Sequence, residues 1–241
     1  MIHIERKAQN AVKNVLSFIY FSGNICNMYK IDHLLNANEE VGVIMKDFYM
    51  DLHIHIGRTA SGKPVKITGS KTLTLHTILQ CASSQKGLDM IGVIDCHSPE
   101  VLVEIEGLLK RGEMIELAEG GLRFQETTLL LGSEIEVYDS YCHGPIHVLA
   151  YFPTVEKMKA FSDWMSNHVK NISLSSQRIY VEGRALQQKV YEYDGLFVPA
   201  HVFTPFKSLY GKGVKRSLTE VFDPNYIDAI ELGLSSDTQM V

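Results

Sequence analysis

The sequence predicts an α/β fold whose mostly parallel sheet closes into a barrel. From Phe48 onward, runs of strand length alternate with stretches of helical periodicity, the pattern of a sheet with covering helices. Stretches such as Asp89-Met90-Ile91-Gly92-Val93-Ile94 are continuously apolar, as expected of strands covered on both faces. A residue able to hold a metal stands at the C-terminal end of almost every proposed strand. In a barrel those ends meet on one face, whereas an open sheet would spread them along an edge.

Residues 1–44 read as an accessory extension. Ala8, Ala11, Val12, Val15, Leu16 and Ile19 recur at helical spacing, which predicts an amphipathic helix, and Tyr29–Glu40 is a looser stretch. Residues 45–241 read as one metal-binding domain, with no linker, low-complexity tract or internal repeat. Its first strand is Phe48–Ile54, followed by a basic, Gly-containing loop and a helix over Thr74–Ser84 that Gly87 stops. The second strand is Asp89–Ile94. Ser98 and Pro99 open a helix ending at Gly112, and Leu129–Leu131 leads the third strand into Gly132-Ser133-Glu134.

Only Tyr138–Pro145 separates Glu134–Val137 from Ile146–Tyr151. A parallel crossover needs a dozen or more residues, so this link predicts a hairpin. Thr154 caps a helix through Trp164, and a second helix is expected over Arg178–Tyr193. Gly195–His201 is another buried strand, Ser217-Leu218-Thr219-Glu220 is a capping box, and Ile227–Leu232 is the last expected strand.

The 241 residues are 45% hydrophobic and 21% charged, ordinary for a globular chain able to bury a sizeable core. A net charge of -5 excludes indiscriminate, charge-driven nucleic-acid binding but leaves room for a local basic patch. Cys26, Cys81, Cys96 and Cys142 are scattered without a Cys-x-x-Cys pair, as in reduced cytoplasmic proteins. Val15–Phe21, the longest apolar stretch, is too short to cross a bilayer, so a cytoplasmic location with no membrane partner is expected. No Gly-x-Gly-x-x-Gly, P-loop or Gly-x-Ser-x-Gly pattern follows any strand, which removes support for dinucleotide, P-loop and nucleophile-elbow chemistry.

The chemistry gathers around Asp51-Leu52-His53-Ile54-His55. Alternation along an extended segment turns His53 and His55 to one side, about 7 Å apart. Imidazole suits zinc, manganese and iron. Alone, such a pair is equally well two polar residues on a half-buried strand. Asp95 and His97, Glu134, His147 and His201 repeat the placement at later strand ends, and Glu231 and then Asp237 follow at the last. That repetition decides for a multinuclear metal site over scattered side chains each satisfying local hydrogen bonds.

Asp51–His55, Ile94-Asp95-Cys96-His97-Ser98, Gly132–Glu136, Ile146-His147-Val148-Leu149 and Pro199-Ala200-His201 resemble successive motifs of the PHP (polymerase and histidinol phosphatase) metallo-phosphoesterases. More narrowly, Asp51–Arg58, Lys66–Lys71, Leu174–Arg178 and Ala200–Gly211 resemble endonuclease Q. The resemblance runs from about Met45 to the C-terminus. It implies a distorted seven-stranded (β/α) PHP barrel holding two or three divalent ions (Zn, Mn, Mg or Fe) and nicking DNA 5′ of uracil, hypoxanthine or abasic sites. It further implies His53 and His55 as ligands of one ion, Glu134 as the bridging carboxylate, His147 and His201 on a second ion and His97 on a further one. Asp95 would sit beside the cluster and orient a histidine.

The family's last motif, an Asp-x-His on the seventh strand, is missing, as is a cysteine zinc module. The chain therefore reads as an N-terminal piece truncated before that strand, with the remainder of the enzyme as a partner and weak or absent activity alone. A nuclease also needs a DNA track. Arg58, Lys63, Lys66 and Lys71 after the first strand, and Lys207, Lys212, Lys215 and Arg216 after the fifth, are the candidates. Ser175, Ser176, Gln177, Arg178 and Tyr210 are candidate lining for an extruded base. A phosphatase on a small phosphomonoester, and a non-catalytic metal- or DNA-binding fragment, are the competing readings.

Overall fold

The computed structural model describes residues 27–31 and 46–233. The expected helix near residues 8–19 and Asp237 lie outside the described residues. Nine strands of the described residues form one sheet: β1 (Asn27–Ile31), β2 (Lys46–Ile54), β3 (Met90–Val93), β4 (Ile115–Glu116), β5 (Leu122–Phe124), β6 (Thr127–Val137), β7 (Ile146–Phe152), β8 (Arg178–Ile179) and β9 (Leu196–Pro199). Among the described residues four α-helices accompany them: α1 (Leu75–Gln80), α2 (Pro99–Lys110), α3 (Val155–Ser166) and α4 (Gly183–Glu192).

The sheet is mixed, which corrects the expectation of a mostly parallel one. Only β2–β3, β3–β6 and β6–β8 pair in parallel; β1–β2, β4–β5, β5–β6, β6–β7 and β7–β9 are antiparallel. The β6–β7 hairpin is the one that the short link predicts, in the register Glu136↔His147 and Val137↔Ile146. Two successive reversals restore polarity. β9 runs antiparallel to β7 and therefore in the direction of β6, so β2, β3, β6 and β9 all end on one face, and β7 begins there.

The curved sheet has two apolar layers. Its outer face packs on the helices through residues such as Leu79, Ile91, Ile105, Leu131, Phe161 and Leu186. Its concave face closes over Met50, Leu52, Ile94, Leu130, Leu149, Tyr151 and Val198. Among the described residues no ladder joins β9 to β2, but the buried Tyr151 hydroxyl donates to the Leu52 carbonyl at 2.5 Å across the interior. The result is a distorted, incompletely closed barrel.

A bulge decides which side chains of β2 face inward. Between Asp51 and Ile54 the strand holds one residue more than its partner segment Ile91–Val93, and such an insertion flips the alternation of side chains. Leu52 therefore lines the interior below, while His53 and His55 turn inward above. Gly92 makes room beside the bulge, since a Cβ there would lie 2.5 Å from the Leu52 carbonyl oxygen.

Two further expectations change. The helix predicted from Arg178 begins only at Gly183, because Arg178 and Ile179 pair with Glu136 and Val137 instead. Ile227–Leu232 follows β9 without forming a strand. The Asp228 and Glu231 amides bond the carbonyls of Phe197 and Pro199, but the Asp228 and Glu231 carboxylates take the amides of Phe197 and His201 at 2.9 and 3.0 Å. Side chains thus fill places that ladder carbonyls would occupy. Thr154 caps α3 and Ser217 with Glu220 forms the reciprocal box as predicted, whereas β1, β4 and β5 carried no sequence signal.

Candidate metal centre

Glu134 stands at the centre. It projects from β6 onto the concave face, 2% exposed, within reach of four histidines. Oε1 lies 3.4 Å from His53 Nε2, 2.8 Å from His147 Nδ1 and 3.6 Å from His201 Nε2. Oε2 lies 3.5 Å from His55 Nε2. Potential ligand atoms of His53, His55 and Glu134 all fall within 4.8 Å of one another, as do those of Glu134, His147 and His201. The register explains the pairing of Glu134 with His147: Glu134 opposes Leu149 and Glu136 opposes His147, making Glu134 and His147 diagonal neighbours on one face.

Three of the four imidazoles, those of His53, His55 and His201, are held from behind. Both Glu231 oxygens lie 3.0 Å from His53 Nδ1. Buried Asp95 lies 3.1 Å from His55 Nδ1 and accepts the Ile56 amide at 2.7 Å. Thr204 Oγ1 is 3.2 Å from His201 Nδ1. A carboxylate on Nδ1 fixes the proton there and leaves the Nε2 lone pair free for a metal. His201 adopts a left-handed backbone with φ of 33°, uncommon for a residue with a side chain. The Glu231 carboxylate takes its amide, and the Glu231 carbonyl takes the next amide, Val202, at 2.8 Å.

The charges are coupled. Burial opposes protonation of His53, but Glu134 and Glu231 outweigh it and lift its pKa to about 10. Burial likewise works against ionisation of Glu134, yet His147, His201 and His53 hold its carboxyl far below the usual carboxylate range. Asp95 is buried too, and His55 brings it down in the same way. For Glu136, His147 first, then Arg178 and Lys207, lower the pKa to about 2.

The donor set fits divalent ions. Imidazoles with one shared carboxylate suit zinc, manganese or iron. Among the described residues the buried His147 Nε2 has no hydrogen-bond partner, Glu136 Oε2 lying 3.8 Å away, which is unusual for a native polar atom unless something else occupies it. His97 is not brought into either group. It is fully buried, with Nδ1 2.9 Å from Ser133 Oγ and Nε2 3.3 Å from the Leu174 carbonyl, so both nitrogens are already engaged. Asp95 touches His55 rather than facing Glu134.

The basic residues divide. Lys66 leaves the expected rim and enters the cluster, with Nζ 3.1 Å from His55 Nε2, 2.8 Å from Ser176 Oγ and 3.5 Å from Glu134 Oε2. Ser176 donates in turn to Glu134, and Ser175 Oγ is 3.0 Å from His55 Nδ1. Arg178 and Lys207 flank Glu136 at 2.7 and 3.1 Å. Lys63 pairs with Glu100 at 3.0 Å and Arg58 bonds the Gly62 carbonyl, while Lys71 is exposed. Tyr210 stacks on Phe203 and Lys212 lies over Phe206 in the loop after β9. Sequence reasoning placed Glu231 at a strand end without giving it a role, and passed over Glu136. Their signal was the i, i+2 relation to Glu134 for Glu136, and the strand-end position for Glu231.

No protein-family model matches the chain. It is 63% identical over 196 residues to the uncharacterized protein YqxK of Bacillus subtilis, covering 81% of this chain and 51% of that one. Among solved structures it resembles endonuclease Q in complex with a 27-mer duplex substrate carrying an abasic lesion at the active site (TM-score 0.63, 29% identity, 79% of this chain and 44% of that one). The lesion-specific endonuclease PfuEndoQ from Pyrococcus furiosus matches similarly (TM-score 0.63, 28% identity, 79% and 43%). The chain thus spans about half the length of YqxK and less than half of these endonucleases. In the described residues no helix is long and apolar enough to cross a membrane. Its distorted barrel and its likeness to both endonuclease structures support the assignment of this chain to the PHP/endonuclease Q-like superfamily.

Proposed function

We propose that this chain carries the metal centre of a phosphodiesterase that nicks DNA 5′ of deaminated bases or abasic sites. The observation that carries the reading is one buried glutamate, Glu134, shared between His53 with His55 and His147 with His201. Two divalent ions held this way would polarise a phosphodiester and lower the pKa of a bound water. The chain's own residues supply the geometry. Asp95 and Glu231 fix the tautomers of His55 and His53, and the Glu231 carboxylate and carbonyl hold the strained turn at His201–Val202. Ser176 steadies the Glu134 oxygen nearer His55. Arg178 and Lys207 beside Glu136 offer positive charge at the rim, where phosphate-backbone contact would need it.

The likeness to two lesion-acting endonucleases supports DNA as the substrate class. The test offers the purified chain, with Mn²⁺ or Mg²⁺, a uracil-containing duplex, an abasic duplex and p-nitrophenyl phosphate. Nicking 5′ of the lesion that disappears in His53→Ala and Glu134→Ala is the expected result. Hydrolysis of the small ester alone would favour a phosphatase. Metal binding with no cleavage of any substrate would reduce the chain to a binding module.

A further inference from the structure

Lys66 is the one basic side chain of the loop after β2 that enters the cluster, among the described residues. The loop is built to hold it there. Its amide bonds the Ile56 carbonyl and its carbonyl takes the Gly69 amide, both at 2.9 Å, while the neighbouring Val65 pairs with Gly57 and Ser175. Gly57 and Gly69 pack backbone on backbone: a Cβ on Gly57 would lie 1.9 Å from the Ser70 carbonyl oxygen, and one on Gly69 would lie 2.9 Å from the Gly57 Cα. No side chain fits in that seam, and the close backbone packing sets the loop against the segment that follows β2.

The ammonium sits against His55 Nε2 and the Glu134 oxygen, two of the three groups that would hold the first ion. With the Nδ1 proton fixed by Asp95, His55 Nε2 has one lone pair, and Lys66 is using it. An ion and an ammonium cannot share that lone pair, and their like charges repel. Lys66 Nζ therefore shifts when an ion takes the seat, but its backbone stays bonded to Ile56, just past β2. A cation tethered beside a metal-bound phosphate has an anionic oxygen as its nearest new partner.

Resting on the phosphoesterase reading above, we propose that Lys66 is a positioning residue inside the centre. It occupies the first ion's seat in the ion-free protein and then grips a non-bridging phosphate oxygen of the substrate. The rim role expected from sequence is thereby replaced.

The test titrates the ion-free wild-type chain, Lys66→Met and Lys66→Arg with Mn²⁺ by calorimetry, and then the loaded proteins with inorganic phosphate. Lys110→Met, altered at an exposed position at the end of α2, is the control. Lys66→Met should take its first Mn²⁺ about tenfold more tightly than wild type, yet bind phosphate at least tenfold more weakly. Lys66→Arg should keep phosphate binding, and Lys110→Met should match wild type in both titrations. An unchanged Mn²⁺ affinity in Lys66→Met overturns the shared seat, and an unchanged phosphate affinity overturns the grip. Absence of phosphate binding by loaded wild type would overturn the phosphoesterase reading itself, an outcome distinct from either.

Discussion

Glu231→Ala is the sharpest perturbation that the geometry offers, because one side chain supports both histidine groups. Its carboxylate lies 3.0 Å from His53 Nδ1 and accepts the His201 amide at 3.0 Å. Hydrogen bonds to a charged group contribute about 1.5–3 kcal/mol each, and loss of a partner behind a ligating histidine typically costs roughly 10–100-fold in metal affinity. At His53 the alanine variant loses both the orientation and the tautomer of a ligand, so the first Mn²⁺ should bind about 30-fold more weakly, or ~2 kcal/mol. At His201 only the backbone anchor is lost while Thr204 still faces the imidazole, and the second step should weaken by roughly tenfold or less. Glu231→Gln retains one oxygen for two donors and should fall between wild type and alanine. Calorimetric titration, with circular dichroism to check the fold, reads both steps. Alanine affinities within twofold of wild type would refute the reasoning, as would a loss confined to the second step.

Glu134→Gln keeps the shape but cannot bridge as a carboxylate, so both Mn²⁺ steps should weaken by at least ~100-fold; a surviving high-affinity pair of ions would show that Glu134 is not shared. His97→Ala should leave both Mn²⁺ affinities within about threefold while costing ~2–4 kcal/mol of stability, since it opens a cavity and strands Ser133; loss of a bound ion in a folded variant would return His97 to the ligand set. Gly57→Ala drives a Cβ into the Ser70 carbonyl and should cost roughly 3 kcal/mol, a fall in Tm of about 6–12 °C for a chain of this size; a melt matching wild type would mean that the loop after β2 shifts freely.

The histidines were legible from sequence because strand ends are, and strand ends follow from apolar runs with recognisable starts and stops. The hairpin was legible for a similar reason, since eight residues cannot make a crossover. What escaped notice escaped for identifiable causes. Glu231 serves the site from a segment whose carboxylates, at Asp228 and Glu231, take the amides of Phe197 and His201, so period 2 gave no sign of which way its side chain turned. Lys66 sits in a loop, where no periodicity assigns an inside. Its position depends on the glycine seam and on contact with Ser176, 110 residues away. His97 stands in neither ligand group of the described residues, for a reason that its strand-end position does not show. Its place beside Asp95 at a strand end looks like that of a ligand, but Ser133 and the Leu174 carbonyl had already taken both nitrogens.

The mixed topology also explains why a centre of this kind is possible at all. In a strictly parallel barrel every strand would present only its C-terminal end to the site, and a residue opening the strand after β6 would lie at the far end. Here β7 begins on the active face, so His147 stands beside Glu136 and diagonally from Glu134 without an intervening helix. The second reversal returns β9 in the direction of β6 and delivers His201 to the same place. Glu134 can then face two pairs at once: His53 and His55, aimed inward by the bulge in β2, and His147 and His201, brought round by the two reversals. A shared carboxylate requires two ligand groups within its reach, and the breaks in the parallel pattern are what bring the second one there.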